Sequence, residues 1–551
     1  MMNLWHRRLL LLVLVTISEG KLNVLLIVAD DLRPSLGCYG YEPLITPNID
    51  LLASQSVVFN RTYAQQAICG PSRASFLTSR RPNTTHVYDQ HTYWRKKGGN
   101  FTTLPQHFKN NGYVTFSVGK IFHPGAASGK TDDYPYSWSF PPYHPSTQKY
   151  KMAKVCPGPD GKLYMNIVCP VDVTAMPEKT LPDLQSTQHA LQIMQNVSRF
   201  SGQPFFLAVG YHKPHIPLKY PKEYLNLYPL DKVHLAPDPS LPPKLPLVAW
   251  NPWADLRERD DVKMLHVSFP YGPLPKHYQL LVRQSYYAAT SYMDDQVGQL
   301  LKGLEKYNLS SNTVIVFMGD HGWSLGEHQE WSKYSNFEVA TRVPLIVYVP
   351  GLTNKGQNLH RKFIFDRNFI NKDNYRVTNA LVELVDVFPT ISELSGIKVP
   401  ELCPDNDSDI ELCTEGTSFL PLIKDTVFNN GASDLKWKSA AFSQYPRPSD
   451  LPQENSDQPK LKDIKIMGYT MRTDKYRYTE WVGFDPLTLK TNWTDLHARE
   501  LYVHDIDPDE DNNVAGLWDY IDVVADLSDK LLKGWRKALP NSYNSDKLNH
   551  R

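Results

Sequence analysis

After its first twenty residues the sequence has no apolar run long enough to cross a bilayer, no excess of charge of either sign and few cysteines. A membrane-spanning helix needs roughly 20 consecutive apolar residues. Even within the first twenty residues the apolar run Leu9 to Val15 stops well short of that and is followed by Ser18 and Glu19. Lys and Arg together number 59 against 58 Asp and Glu, a formal net charge of +1, so there is no overall field to attract nucleic acid. Six cysteines in 551 residues cannot build a disulfide scaffold, and the core must come from apolar packing. What is present is globular in balance, with 41% hydrophobic and 21% charged residues.

His6, Arg7 and Arg8 ahead of Leu9 to Val15, with the small Gly20 behind, read as a signal peptide over residues 1–20. The expected product is a chain of the secretory pathway with no membrane anchor. Sequons at Asn60, Asn83, Asn100, Asn196, Asn308, Asn406 and Asn492 agree with that route, although such triplets also arise by chance. Cys156 with Cys169 and Cys403 with Cys413 are close pairs that would each close a short loop. Cys38 and Cys69 are left, and composition alone permits either a third disulfide or chemistry at Cys69.

Four segments share one design: a short apolar run, suited to a strand covered on both faces, that ends abruptly in reactive residues. Asn23 to Ala29 ends in Asp30 and Asp31, and Gly112 to Val118 leads to Lys120 and His123. Pro204 to Gly210 runs into His212, Lys213 and His215, and Thr313 to Met318 into Asp320 and His321. In an α/β sheet these clusters would meet beyond the carboxyl ends of the strands. Thr187 to Val197 and Tyr286 to Tyr307 carry helical spacing. The fold class expected is α/β over residues 21–445, with a smaller C-terminal α+β subdomain over 446–551. Ser443 to Pro459, rich in proline and polar residues, reads as a linker or exposed loop. Strand-like runs at Ile464 to Arg472 and Tyr476 to Phe484 follow, then an amphipathic helix over Trp518 to Leu539.

Asp30, Asp31 and Asp320 offer oxygen ligands for a hard divalent cation; the bland alternative is helix capping or pairing with Arg33 and Arg73. Cys69 precedes a helix start in Cys69 to Arg73 (CGPSR), with Pro71 suited to the first turn and Ser72 able to cap, which places its side chain near positive backbone amides.

CGPSR followed by Leu77, Thr78 and Arg80 closely resembles the sulfatase signature. A second sulfatase signature is matched by Gly112, Tyr113, Thr115, Gly119, Lys120 and His123, and the paired aspartates and Asp320 to Gly322 agree as well. Ser79 departs from the usual Gly. His321 departs from the usual Asn but matches the sulfatase subfamily that acts on 2-O-sulfated iduronate, which the chain resembles across nearly all of its length after residue 20.

The resemblance implies an alkaline-phosphatase-like mixed sheet flanked by helices. It implies a formylglycine made from Cys69 by a formylglycine-generating enzyme, and one Ca²⁺ held by Asp30, Asp31, Asp320, His321 and the converted Cys69. Arg73 and Lys120 would hold the hydrated aldehyde, His123 would be the base that drives sulfate elimination, and His215 and Lys333 would bind sulfate and protonate the leaving group. The implied substrates are heparan sulfate and dermatan sulfate fragments ending in L-iduronate 2-sulfate, and the implied compartment is the lysosome. Tyr93 to Lys97 and the surroundings of Trp323 are candidates for the sugar carboxylate. The competing readings are a phosphate or phosphonate ester hydrolase of the same superfamily, and a glycosaminoglycan-binding glycoprotein without activity.

Overall fold

A computed structural model describes residues 21–199, 202–354, 365, 375–405, 410–432 and 435–540. The expected signal peptide and the sequon at Asn406 lie outside them.

The four apolar runs become neighbouring strands of one seven-stranded sheet. In chain order its strands are β1 (Asn23–Asp30), β2 (Val57–Tyr63), β3 (Val114–Gly119), β4 (Phe205–Pro214), β5 (Thr313–Gly319), β6 (Arg342–Tyr348) and β7 (Arg376–Glu383). Their order across the sheet is β7-β2-β6-β5-β1-β4-β3. β1 runs parallel to both β4 and β5, with Val24 beside Phe206 on one side and Val314 on the other. β6 runs against β5 and β2, so the sheet is mixed.

Every residue of β1, β4 and β5 is buried, which explains why they read as continuous apolar runs. Alternate residues serve opposite cores. Leu25, Ile27 and Ala29 pack with Tyr286, Met293, Val297 and Leu300 of the long helix α3 (Lys276–Lys306). Val24, Leu26 and Val28 pack with Ala74, Phe76 and Leu77 of α1 (Cys69–Thr78). Helix α2 (Pro182–Val197) covers the sheet on the α3 side, with Ala190 and Met194 in the first core.

A second, four-stranded antiparallel sheet is formed by β8 (Ala441–Arg447), β9 (Ile466–Arg472), β10 (Tyr476–Asp485) and β11 (Lys490–Val503). Helix α4 (Ile521–Lys533) drops Val524, Leu527 and Leu531 onto Met467, Tyr478 and Val482.

Two expectations need correction. Ser443 to Arg447 is not an exposed linker but lies inside β8, where Pro446 pairs with Met467 and Arg447 is buried. Proline is tolerated there because β8 is an edge strand, where one face of the ladder needs no donor. The C-terminal helix is not continuous over Trp518 to Leu539. It breaks at Gly534, whose φ of 72° ends α4 before a short turn, Trp535–Ala538. The disulfides Cys156–Cys169 and Cys403–Cys413 form as expected, and Cys38 and Cys69 are both unpaired and buried.

Candidate active site

The carboxyl ends of β1, β3, β4 and β5 and the start of α1 converge on one point. At the end of β1 the chain turns at Asp31, with φ of 62°, a left-handed conformation that aspartate tolerates better than most residues. Tyr286 of α3 holds this turn by donating its hydroxyl hydrogen to the Asp31 carbonyl at 2.7 Å. Asp320 and His321 follow β5, and Asp320 Oδ1 accepts from the backbone N–H groups of Asp31 and His321 at 3.1 and 3.0 Å. The two strand ends are thus tied to each other.

Cys69 sits at the first turn of α1, 1% exposed. Its Sγ lies 3.3 Å from Asp30 Oδ1 and 3.4 Å from His321 Nε2. Lys120 Nζ stands 3.2 Å and Lys333 Nζ 3.3 Å from the same sulfur. Ser72 does not cap α1 as the sequence suggests: the N-cap position is Ile68, without a side-chain cap, and the Ser72 hydroxyl donates to the Asp320 carbonyl instead. That bond fastens α1 to the end of β5.

Three carboxylates face three cations. Lys120 Nζ donates to Asp30 Oδ2 at 2.5 Å and Lys333 Nζ to Asp31 Oδ1 at 2.5 Å. Arg73 Nε donates to Asp320 Oδ2 at 2.9 Å, while its Nη1 serves the carbonyls of Lys120 and Ile121. Burial opposes the charge on Asp30, but Lys120, His215, Arg73 and Lys333 overcome it and hold the carboxyl well below its ordinary range. Asp31 moves the other way, up to about 7, because burial and the neighbouring Asp30 outweigh Lys333. Burial, reinforced by Lys120 and Arg73, pushes the His123 imidazole well below its usual value, and among the described residues its Nδ1 has no hydrogen-bond partner.

The donor set fits a hard divalent cation. His321 Nδ1 lies 2.9 Å from the Gly322 carbonyl, which places the ring hydrogen there and leaves Nε2 with its lone pair. That Nε2 faces Asp31 Oδ1 and Asp320 Oδ2, each at 3.5 Å, so three acceptor atoms converge on one point where a cation would be bound. Asp31 Oδ2 is buried and has no hydrogen-bond partner among the described residues. Ligand atoms of Asp30, Cys69, Asp320 and His321 all lie within 4.8 Å of one another, and so do those of Asp30, Asp31, Cys69 and His215.

A cavity of about 420 Å³ opens over Asp30, with Lys120, His123, Lys151, Lys213 and His215 among its lining residues. His215 stands 3.9 Å from Asp31 through Nε2, and its Nδ1 is 2.5 Å from the Ile216 carbonyl. Tyr93 and Arg95, candidates for the sugar carboxylate, are spent elsewhere: both bind Asp133, Arg95 through Nε at 2.6 Å and Nη2 at 2.8 Å. Trp323 is buried with Lys333 Nζ 5.6 Å from its ring centre, and it does not line the cavity. Lys151 lines the cavity with Lys130, His144 and Lys219, and no motif in the sequence marks any of them.

Residues 22–397 match the family model described as Sulfatase. The chain belongs to the sulfatase family. This sulfatase is 55% identical over 509 residues to mouse iduronate 2-sulfatase, covering 90% of this chain and 91% of that one. The human iduronate 2-sulfatase is likewise 55% identical, over 90% of this chain and 92% of its own length. Among solved structures, the phosphonate monoester hydrolase of Agrobacterium radiobacter superposes with a TM-score of 0.65 at 20% identity, covering 95% of this chain and 97% of that one. That likeness shows the shared alkaline-phosphatase-like fold and nothing finer. This sulfatase is a sulfuric ester hydrolase. Its family generally uses a metal ion and a formylglycine made from cysteine, and the buried Asp/Cys/His cluster offers ligands for the first beside a candidate for the second.

Proposed function

We propose that this sulfatase works in the lysosome and removes the 2-O-sulfate from L-iduronate 2-sulfate at the non-reducing end of heparan sulfate and dermatan sulfate. The observation that carries the reading is the meeting of Lys120 and Lys333 at Cys69 Sγ, 3.2 and 3.3 Å away, beside Asp30 and His321. Two fixed ammonium groups around a buried nucleophile position suit an ester whose oxygens carry negative charge.

The Cys69 sulfur stands where an oxygen of formylglycine would be, beside the proposed ligands Asp30, Asp31, Asp320 and His321. When present, Ca²⁺ supplies charge neutralisation, and the aldehyde hydrate supplies an oxygen nucleophile with a second hydroxyl through which sulfate can leave. Lys120 and Arg73 orient the residue at position 69, Lys120 through its ammonium and Arg73 by bracing Asp30 and Asp320, with its Nη2 3.3 Å from Asp30. Lys333 binds a sulfate oxygen and stays a cation. His215, with Nδ1 against the Ile216 carbonyl and Nε2 toward the site, delivers the proton to the departing sugar oxygen. His123, whose buried Nδ1 has no partner among the described residues, takes the proton that allows sulfate to be expelled. Maturation requires a formylglycine-generating enzyme acting on CGPSR.

The test is a pair of measurements on protein made in animal cells. Peptide mass analysis is expected to find an aldehyde in place of the Cys69 thiol, and the protein is expected to cleave a 2-sulfated iduronide far faster than a phosphate monoester. An unconverted Cys69 in active protein would refute the mechanism, and a preference for the phosphate ester would refute the substrate class.

A further inference from the structure

Positive charge stands in two tiers, an inner one around Cys69, of which Lys120 alone lines the cavity, and an outer one in the cavity wall. The inner tier, Arg73, Lys120 and Lys333, is matched one to one by Asp320, Asp30 and Asp31. Most of the outer tier is also committed. Lys213 Nζ donates to the carbonyls of His215 and Pro217, Lys219 Nζ to the Tyr150 carbonyl at 3.1 Å, and His144 faces Asp132 at 3.1 Å. Lys130 is exposed at the rim.

Lys151 differs. It is half-buried in the cavity wall, and among the described residues its ammonium has no ion pair and no hydrogen bond. Burial first, and Lys120 next, lower its pKa to about 8, and the same charge weighs on His215 and Lys213. Asp30 offsets those cations only in part, so the ammonium is held at a cost in free energy that an anion bound directly to it would remove.

Its backbone is held from both sides. Lys151 ends a 3-10 turn, Ser146–Tyr150, with its N–H bonded to the Gln148 carbonyl at 3.0 Å. Gln185 of α2 accepts from the Thr147 N–H and hydroxyl at 3.2 and 2.7 Å, and Lys219 clasps Tyr150 from the other side. A positioned, unpaired cation on the wall of an anion-binding cavity is pre-organised for a second negative group on the ligand.

We propose that Lys151 binds the carboxylate of the reacting uronate, and so selects sulfated uronic acids over neutral sulfated sugars. This rests on the sulfate ester reading of the site. The inner tier takes the sulfate, and Lys151, in the outer tier, meets the other anion of the same ring.

The test compares the mature wild-type protein with Lys151→Met and Lys151→Arg on two monosaccharide aryl glycosides, 2-sulfated iduronide and its carboxyl-reduced counterpart. Neither has a second sugar. Lys151→Met is expected to lower kcat/KM about 10- to 100-fold on the uronide, mainly through KM, and to leave the carboxyl-reduced substrate within about 2-fold. Lys151→Arg should recover most of the loss, and the melting temperature of Lys151→Met should not fall, because among the described residues the ammonium makes no hydrogen bond or ion pair. Equal loss on both substrates, or no loss on the uronide, overturns the assignment while leaving the sulfatase reading intact. A loss seen only with oligosaccharides would mean that Lys151 binds a sulfate of the next sugar, and also overturns it. A wild-type protein inactive on the uronide would overturn the substrate reading first, and this inference with it.

Discussion

Lys333 Nζ lies 2.5 Å from Asp31 Oδ1 and 3.3 Å from Cys69 Sγ, although 302 and 264 residues separate it from them along the chain. Lys333→Met leaves Asp31 buried without that cation. We expect kcat/KM to fall by about 10²-fold or more in steady-state assays. The melting temperature should also drop, since breaking one side of a buried pair typically costs about 3–5 kcal/mol. Lys333→Arg should regain stability better than activity, because a guanidinium restores charge but not the shape of the ammonium.

Cys69→Ser separates the two hydroxyls of the proposed mechanism. A serine has one, so after accepting sulfate it has no second group through which to expel it. The variant is expected to fold, to release at most one equivalent of alcohol and then to carry a sulfuryl group detectable by intact mass. Sustained turnover by the serine variant would contradict the need for a hydrate.

Chelation should act on stability as well as activity, because Asp31 Oδ2 has no donor among the described residues and His321 Nε2 faces two carboxylate oxygens. Removing the divalent ion is expected to abolish turnover and lower the melting temperature, and Ca²⁺ should restore both. At a hundredfold excess over Kd the stabilisation should be about 2.7 kcal/mol. Asp31→Asn should weaken the response of the melting temperature to Ca²⁺. A chelator that shifts neither property would sink the metal reading.

Glu327 ties the site to acid stability. Burial works against its charge, but Arg33 at 2.7 Å and Arg283 at 3.7 Å overcome it and hold its carboxyl at about 2. A depressed carboxylate stabilises the fold above its unfolded value, and that contribution is lost as pH falls from about 4.5 through about 2. Glu327→Gln should therefore cost about 3 kcal/mol at pH 5 and at pH 7 alike. The gap from wild type in denaturant unfolding should close only below about pH 4. Full stabilisation at pH 5 suits an acidic compartment.

Gly210 is the close approach on which Lys120 depends. A Cβ there would run into the Lys120 carbonyl, the group that Arg73 also binds, and Lys120 N–H donates to the Gly210 carbonyl at 3.0 Å. Gly210→Ala should displace Lys120 and Arg73 together. Loss of activity is expected with a lowered melting temperature, and full activity would show that the strand end is more yielding than its packing implies.

The strand ends were legible because a buried parallel strand must be apolar throughout, so the residue where polarity returns marks the end. Asp30, Lys120 and Asp320 stand at or just beyond such ends. Helix α3 begins ten residues earlier than its periodicity suggests, at Lys276 instead of Tyr286. Its first turns carry Gln279 and Arg283, buried polar residues that donate to the neighbouring Leu274 carbonyl and the distant Leu325 carbonyl. The strand at Ser443 to Arg447 was hidden by Pro446 and Pro448, since local breaker rules do not know that β8 is an edge.

By itself the sequence determined the strand ends, the two short disulfides and the cysteine motif, all of them local patterns within a few tens of residues. Only the tertiary structure decided that Lys333 and His215 reach Asp31, that His321 turns a bare Nε2 toward two carboxylates, and that Lys151 stands unpaired in the cavity wall. These facts depend on which distant segments the sheet brings together and on how far water is excluded between them. Burial and closure are properties of the whole packed chain, and no window of sequence contains them.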